Sequence, residues 1–278
     1  MAYEIFDNKI IVDNCDLDVF ATLYSGQVFR FEQVGENIIL LTSGDKVALI
    51  RVSFEKTEIL TDDVPYFINF FDLERNYLEI LDVDDDFALS KIQGCPSLKV
   101  LKQPHFETVI SFIMSANNNI TRFSKTLKKI AEKYGQKREF MGYTYHTFPT
   151  PKDLASADLT DLKALGCGYR DRYVVETSKM IADGFSLDEI ENLPTDIANK
   201  RLCQLVGVGE KVADCILLFS YQKYDVFPVD TWIEKVYKEN YGGKLTDRKK
   251  IRKYFIDKFG KYAGIIQQYI FYFAMNKK

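Results

Sequence analysis

Two side chains in this sequence have types and surroundings suited to covalent chemistry, Lys211 and Asp230. A deprotonated lysine amine is a nucleophile, and a carboxylate fixed at a helix N-terminus in a dry pocket steadies developing positive charge. Lys211 stands in the first turn of an amphipathic pattern formed by Val212, Cys215, Ile216 and Phe219, where a positive charge runs against the helix dipole. Asp230 follows 19 residues later, after Pro228 and Val229 and just before a new helical pattern at Thr231, Ile233, Glu234 and Val236. A plainer reading stands beside this one: Lys211 touches a phosphate, and Asp230 caps the helix after Pro228. Residue types alone leave both open.

Gly207-Val208-Gly209 lies where the short apolar pattern Leu202, Leu205 and Val206 stops and that of Val212 begins, which predicts a turn between two helices over about 202–221. Glycines there let the backbone reach positive φ and approach another molecule closely. The amides that open the second helix point outward with the positive end of its dipole behind them. Gly207, Val208 and Gly209 therefore form a candidate phosphate-binding hairpin.

The run from Gly207 to Cys215, followed by Pro228-Val229-Asp230, resembles the helix-hairpin-helix, Gly/Pro-rich loop and aspartate signature of a DNA glycosylase superfamily. Within it the chain is most similar to the 8-oxoguanine DNA glycosylases, and the resemblance implies that Lys211 is a nucleophile assisted by Asp230. It covers most of the chain. Ser25-Gly26-Gln27-Val28-Phe29-Arg30 resembles the family's Ser-Gly-Gln-x-Phe-Arg segment, whose glycine carbonyl accepts a hydrogen bond from N7–H of the damaged base. Guanine presents a lone pair at N7 and the 8-oxo form a proton, so a fixed acceptor there favours the lesion. Read without the surrounding match, Gly26 is a plain turn glycine.

The resemblance also implies that the run from Asn117 to Ile120 enters the space left by a flipped nucleotide. Asn117 or Asn119 would then face the orphaned cytosine, and Arg122 would read its acceptors O2 and N3. Gly166-Cys167-Gly168-Tyr169-Arg170 is similar to the family's Gly-x-Gly-Tyr-Arg segment, with Tyr169 wedged into the base stack and Arg170 beside it. Near the end of the chain, Gln267 would bond the Watson–Crick edge of the extruded base and Phe271 would stack on its face, with Cys215 closing the opposite side. The rival readings are a surface charge for Arg122 beside Lys125, Lys128 and Lys129, and core packing for the aromatic residues. Two positions depart from the family: Phe219 and Trp232 stand where other members often carry a methionine and a histidine. The four-cysteine iron-sulfur loop of the endonuclease III and adenine-glycosylase branches is absent, since the last cysteine is Cys215.

These residues need a scaffold, and the sequence outlines one. A chain of 278 residues that is 46% hydrophobic has enough apolar surface for a large core. Val28 to Val34, Ile38 to Thr42 and Lys46 to Ser53 read as three strands of an antiparallel meander after a short helix over Asp16 to Tyr24. Residues 61–96 read as short helices and a connection, with Asp84-Asp85-Asp86 as a solvated face and Gly94-Cys95-Pro96 as punctuation. From Phe106 the pattern is helical almost to the end, with breaks that include a loop from Gly142 to Pro151. The expected fold is α+β: an N-terminal antiparallel β-sheet domain over 1–96, followed by a mostly α-helical domain over 97–278 that carries the hairpin. Charge divides at the same point. Residues 1–96 hold 7 Lys+Arg against 19 Asp+Glu, a net of −12, whereas residues 97–278 hold 30 against 21, a net of +9. A basic second part suits a polyanionic partner.

The expected partner is double-stranded DNA containing 8-oxoguanine. The expected reaction is attack by Lys211 on C1′, a Schiff base, and β-elimination that nicks the strand. The alternatives are a glycosylase for another damaged base, or a non-catalytic helix-hairpin-helix DNA-binding protein. No cofactor is required and no metal is expected, because His105 and His146 have no neighbouring ligand pattern; a monovalent cation at the hairpin is possible. No apolar run approaches a bilayer-spanning length, and the acidic start lacks the features of a secretion signal. The expected setting is intracellular, in cytoplasm or nucleoid for a prokaryote and in the nucleus for a eukaryote, with the protein a monomer. Five cysteines without close pairs predict reduced thiols.

Overall fold

The computed structural model of the chain describes residues 3–95 and 97–276, so Pro96 and both chain ends lie outside the described residues. The first part forms a six-stranded antiparallel sheet. Its strands are β1 (Tyr3–Phe6), β2 (Lys9–Asp13), β3 (Phe31–Gly35), β4 (Ile38–Ser43), β5 (Lys46–Val52) and β6 (Lys56–Thr61), in the order β1-β2-β6-β5-β4-β3. The sequence outlined only the β3-β4-β5 meander. In β6, Thr57, Ile59 and Thr61 are buried at alternate positions, but the strand is short and rich in polar side chains, which hid it. The third strand starts at Phe31 rather than Val28, because Val28, Phe29 and Arg30 turn inward to pack at the junction with the helices.

The two faces of the sheet are covered differently. Ile39, Leu41, Ala48, Ile50 and Ile59 pack on Phe67, Phe70 and Phe71, which come from helix α2 (Val64–Phe70) and the residue after it. The earlier helix α1 (Val19–Leu23) is capped by Asp18, whose carboxylate accepts from the Ala21 amide. On the other face Leu40, Val47 and Leu49 meet Tyr145. That tyrosine belongs to a second hairpin, β7 (Lys137–Phe140) and β8 (Tyr143–His146), in the region read from sequence as a helix break and a loop from Gly142. Met141 and Gly142 both take positive φ at its two-residue turn, the geometry that matches the twist of a hairpin.

The remaining helices are α3 (Asp86–Gly94), α4 (His105–Ser115), α5 (Ile120–Tyr134), α6 (Pro151–Ala155), α7 (Leu159–Leu165), α8 (Asp171–Ala182), α9 (Thr195–Leu202), α10 (Glu210–Tyr221), α11 (Thr231–Asn240), α12 (Arg248–Phe259) and α13 (Ala263–Met275). Helices α4, α10 and α13 are buried on nearly all sides and form the middle of the helical part. Helix α5 is two-faced: Phe123, Leu127 and Ile130 point inward while Lys125, Lys128 and Lys129 stay exposed. The same core takes in Tyr77, Ile80, Ala88 and Ile92 from before residue 96. Of the acidic run 84–86, Asp84 and Asp86 are exposed, as a solvated face requires, whereas Asp85 joins this packing. Asp85 caps α3 through the Ala88 amide, pairs with Lys258 at 3.0 Å and accepts from the Tyr241 hydroxyl at 3.0 Å.

Sheet and helices are joined by one buried ion pair. Arg30 Nε lies 2.5 Å from Glu107 Oε1 and Nη2 lies 3.1 Å from Oε2, and the guanidinium also donates to the carbonyls of His146 and Gly44. Glu107, in the first turn of α4, accepts from the Gly44 amide at 2.6 Å. One contact thus ties β4-β5, the second hairpin and α4 together. Removing one partner of a buried pair strands the other charge, so Glu107→Ala is expected to cost about 3–5 kcal/mol in urea unfolding. A loss below about 1 kcal/mol, the range of exposed pairs, would show that the junction does not depend on it.

Candidate active site

Helices α9 and α10 form the expected hairpin. Gly207 has φ +82°, and a Cβ there would lie 2.9 Å from atoms of the Tyr173 side chain, so backbone conformation and close packing both require glycine. Thr177 Oγ1, one turn further along α8, donates to the Val206 carbonyl at 2.7 Å. Gly209 differs: its φ is −96°, it is the N-cap residue of α10, and nothing lies within 4 Å of where its Cβ would be. No side chain caps this helix, and the space beside Gly209 is open. Asn199 holds the Glu210 carbonyl, and Asp214 is gripped by Arg252 (2.5 and 2.9 Å) and by Asn199 (2.7 Å).

Lys211 is half-buried on the second residue of α10, with Nζ 5.7 Å from the centroid of the Phe112 ring. Phe112 in turn stacks on Phe219 at 5.4 Å, so the departure at Phe219 belongs to an aromatic floor beneath the lysine. One turn on, Cys215 is 3% exposed. Burial pushes its thiol up to about 11; the Lys211 ammonium opposes that rise, and the Asp214 and Asp230 carboxylates add to it. Lys211, Cys215 and Asp230 therefore share one electrostatic neighbourhood. Asp230 is the N-cap of α11 and accepts from the Ile233 amide at 2.9 Å, which meets the capping reading in full and leaves its second carboxylate oxygen available for another role.

Helix α13 carries Gln267 and Phe271. Gln267 is 4% exposed, and its Nε2 donates to the Pro228 carbonyl at 3.3 Å. A carbonyl can only accept, so this bond fixes which end of the amide faces where. The other end, Oε1, is buried with no hydrogen-bond partner. A buried acceptor left unpaired costs about 1–3 kcal/mol, and this one lies on the helix face that also carries Phe271. Gly26 has φ +75°, and a Cβ there would come within 3.0 Å of the Phe271 ring. Gly26 is thus more than a turn residue: its positive φ favours glycine, and a Cβ there would press on the edge of the Phe271 ring.

A second group of expected residues gathers beside the first. Asn117 is exposed and takes a left-handed φ of +50°. Asn119 caps α5 by accepting from the Arg122 amide at 3.2 Å, and Arg122 itself is exposed. Tyr169 is 56% exposed, a large ring facing solvent. Arg170 is not presented to solvent: it is 7% exposed, donates to the Ala116 carbonyl and, at 2.8 Å, to the Asn117 carbonyl, and lies 4.2 Å from the Tyr169 ring centroid. It braces Asn117 and Tyr169 against each other. Ile120 connects the two groups, since its Cδ1 lies 3.6 Å from the position of a Gly26 Cβ. Trp232 is partly exposed on the first turn of α11, in a shallow groove with Phe87, Lys91 and Phe273.

Sequence reading missed three contributors: Phe112 under the lysine, Gln27 beside Gly26, and Gln268 next to Gln267. A pair of glutamines in an otherwise apolar helix was the available signal for the last. Among the described residues no group of three or more His, Cys, Asp or Glu side chains is arranged to hold a metal, and His105 is occupied by Ser220 at 2.7 Å. No described helix is long and apolar enough to cross a membrane.

Residues 110–261 match the HhH-GPD superfamily of base excision DNA repair proteins. The chain is 34% identical to a probable N-glycosylase/DNA lyase of Methanothermobacter thermautotrophicus over 72% of its own length and 70% of that protein's. It is 27% identical to the N-glycosylase/DNA lyase of Saccharomyces cerevisiae, over 87% and 72%. It is also similar to the Clostridium acetobutylicum 8-oxoguanine glycosylase/lyase, solved with double-stranded DNA containing cytosine opposite 8-oxoguanine: TM-score 0.91 and 32% identity over 99% of each chain.

The burial of the Cys215 wall gives a chemical test. With its thiol pushed up to about 11, and those of Cys95 and Cys167 to about 11 and 12, these three stay protonated well above neutral pH, whereas Cys15 is exposed. Because the thiolate is the reactive form, iodoacetamide at about pH 8 should modify Cys15 and spare Cys215 in the native protein. Equal labelling of the two in peptide mass spectra would contradict a closed slot.

Proposed function

This chain belongs to the HhH-GPD superfamily of base excision DNA repair proteins, and from that premise we propose how its own residues carry out the reaction. It is a DNA N-glycosylase with AP lyase activity that removes 8-oxoguanine from double-stranded DNA, opposite cytosine. The observation that carries the residue assignment is the unpaired Gln267 Oε1. Guanine-type bases present N1–H and an amino group on the Watson–Crick edge, so a buried, oriented acceptor beside Phe271 matches that edge.

In this reading the lesion is flipped into a slot between Phe271 and Cys215. The Gly26 carbonyl, which accepts no hydrogen bond from the described residues, receives N7–H. The Lys211 amine attacks C1′; the bond from C1′ to N9 breaks and the base leaves with the electron pair. Asp230, fixed by its cap geometry, stabilises positive charge on the sugar during departure. Ring opening of the aminal gives a Schiff base at C1′, which makes the C2′ proton acidic. Its loss expels the 3′ phosphate and nicks the strand. Nucleophile and charge stabiliser both come from side chains.

The remaining residues hold the duplex. The uncapped amides at the start of α10, beside the open space at Gly209, suit a phosphate, and the +9 net charge of residues 97–278 suits the rest of the backbone. Tyr169 is the wedge, and Asn117, Asn119 and Arg122 face the orphaned cytosine, with Arg170 holding the loop that presents them. The carbonyls of Gly207 and Val208 carry no hydrogen bond among the described residues, so the turn has oxygens to offer a monovalent cation bridging to phosphate. The protein works as a monomer where DNA resides, the nucleoid of a prokaryote or the nucleus of a eukaryote. The sheet unit, 1–96, and the helical unit, 97–278, act as one body across their shared core.

Lys211→Gln is expected to abolish both base release and strand nicking while leaving DNA affinity within about threefold, and to give no borohydride-trapped complex on 8-oxoguanine opposite cytosine. Persistent cleavage by that variant sinks the nucleophile assignment. Asp230→Asn separates two roles, because asparagine caps a helix as well as aspartate does. Its melting temperature should stay near that of the wild type while base excision falls by roughly a hundredfold. Full activity would confine Asp230 to capping.

A further inference from the structure

Gln268 lies in the middle of α13, is 1% exposed, and donates from Nε2 to the Ser25 carbonyl at 2.8 Å across 243 residues of sequence. Its neighbour Gln267 turns the other way, toward Pro228 and the aspartate segment. One helix turn therefore holds both sides of the slot. We infer that Gln268 is a positioning residue for lesion recognition: by holding the Ser25 carbonyl it fixes the peptide from which Gly26 projects, and so the place of the Gly26 carbonyl. The inference rests on the proposed role of that carbonyl as the acceptor for N7–H.

The geometry around Gly26 supports this. On the far side of the glycine, Gln27 is wholly buried, its Nε2 donating to the Thr22 carbonyl (3.1 Å) and the Lys99 carbonyl (2.8 Å) and its Oε1 accepting from the Leu101 amide (2.8 Å). The Gln27 carbonyl is itself held by Gln103 Nε2 at 2.8 Å. The carbonyls before and after that of Gly26, those of Ser25 and Gln27, are thus each held by a glutamine side chain, whereas the Gly26 carbonyl accepts no hydrogen bond from the described residues. Ser25 Oγ donates to Thr22 and accepts from Gln27, so it does not substitute for the Ser25 carbonyl contact. Glycine at φ +75° has no Cβ to resist rotation. Once Gln268 lets go, the Ser25–Gly26 peptide can rotate about φ of Gly26, the glycine Cα from which the carbonyl projects shifts with it, and the acceptor leaves the line of N7–H.

The reaction contains its own control. An abasic site has no base to inspect, so strand nicking there uses Lys211 and Asp230 but not the Gly26 carbonyl. Gln268→Met keeps the volume and removes the donor. In single-turnover assays on duplexes carrying either 8-oxoguanine or an abasic site opposite cytosine, it should slow 8-oxoguanine excision by roughly tenfold or more, with abasic-site nicking within about twofold of wild type. Unchanged excision overturns the inference, and so does an equal loss on both substrates, which is what a merely structural role produces. Gln268→Asn, which keeps the amide but withdraws it by one methylene, is read by the same criteria where Gln268→Met does not fold. A wild-type protein that nicks abasic sites but leaves 8-oxoguanine untouched would instead overturn the substrate reading beneath it.

Discussion

The separation between the Gly26 loop and the lysine-bearing helix is set by a short extended stretch, residues 98–104, that lies between them and hydrogen-bonds to both. Gln103 shows how. Its side chain holds the Gln27 carbonyl, its amide donates to the Phe219 carbonyl at 2.8 Å, and its own carbonyl accepts from Ser220 Oγ at 2.9 Å. Leu101 and Lys99 fasten the same loop, and Tyr269 of α13 reaches back to the Leu98 carbonyl. These are buried bonds to backbone, where a lost partner strands a polar group without water. The base slot is therefore built on a rigid seam between two structural units, and a displaced seam would misplace recognition relative to chemistry.

The chemistry at the other end of that seam depends on the use of two helix termini. Lys211 occupies the first turn of α10, where the dipole does not favour it, and Asp230 occupies the N-cap of α11, where the dipole does. The unfavourable position is braced from behind by the buried pair of Asp214 and Arg252 and by Asn199. The favourable one needs no support beyond its own capping bond. Among the described residues Lys211 makes no ion pair and Asp230 is committed to its cap through one oxygen, so the two do not collapse into a salt bridge.

Much of this was legible in the sequence where the determinant is local. The glycines of the hairpin, the Val-Asp before a helix and the meander of β3 to β5 are written in a few consecutive residues. Features that depend on distant partners were not. The β7-β8 hairpin carries Lys, Arg and Glu on exposed positions, and only Tyr145 against Leu40 and Leu49 shows why it is a strand pair. Arg170 looked like a surface arginine for DNA, but the carbonyls that bury it belong to residues 116 and 117, more than fifty positions away. Within the acidic run at 84–86, Asp85 acquires its meaning from Tyr241 and Lys258. Gln27, Gln103 and Gln268 are ordinary polar residues until the fold supplies their carbonyls.

That division follows from the discrimination the site performs. An intact guanine and its 8-oxo form differ at N7 by a single proton, so one acceptor repels the guanine lone pair and rewards the 8-oxo N–H only if it cannot turn aside. Additional attraction to the base would raise affinity for both and separate neither. The remedy is orientation: a glycine at φ +75° packed against the Phe271 ring, with the carbonyls before and after its own held by side chains. In the proposed reading the opposite strand is treated alike: Arg170 holds the loop of Asn117 through the carbonyls of Ala116 and Asn117. Ile120, in contact range of both the Asn run and Gly26, then joins the two inspections into one packed surface. In the proposed reading, a duplex that distorts the loop of residues 117–120 presses on Gly26 as well, so the opposite base and the lesion are read by parts in mutual contact.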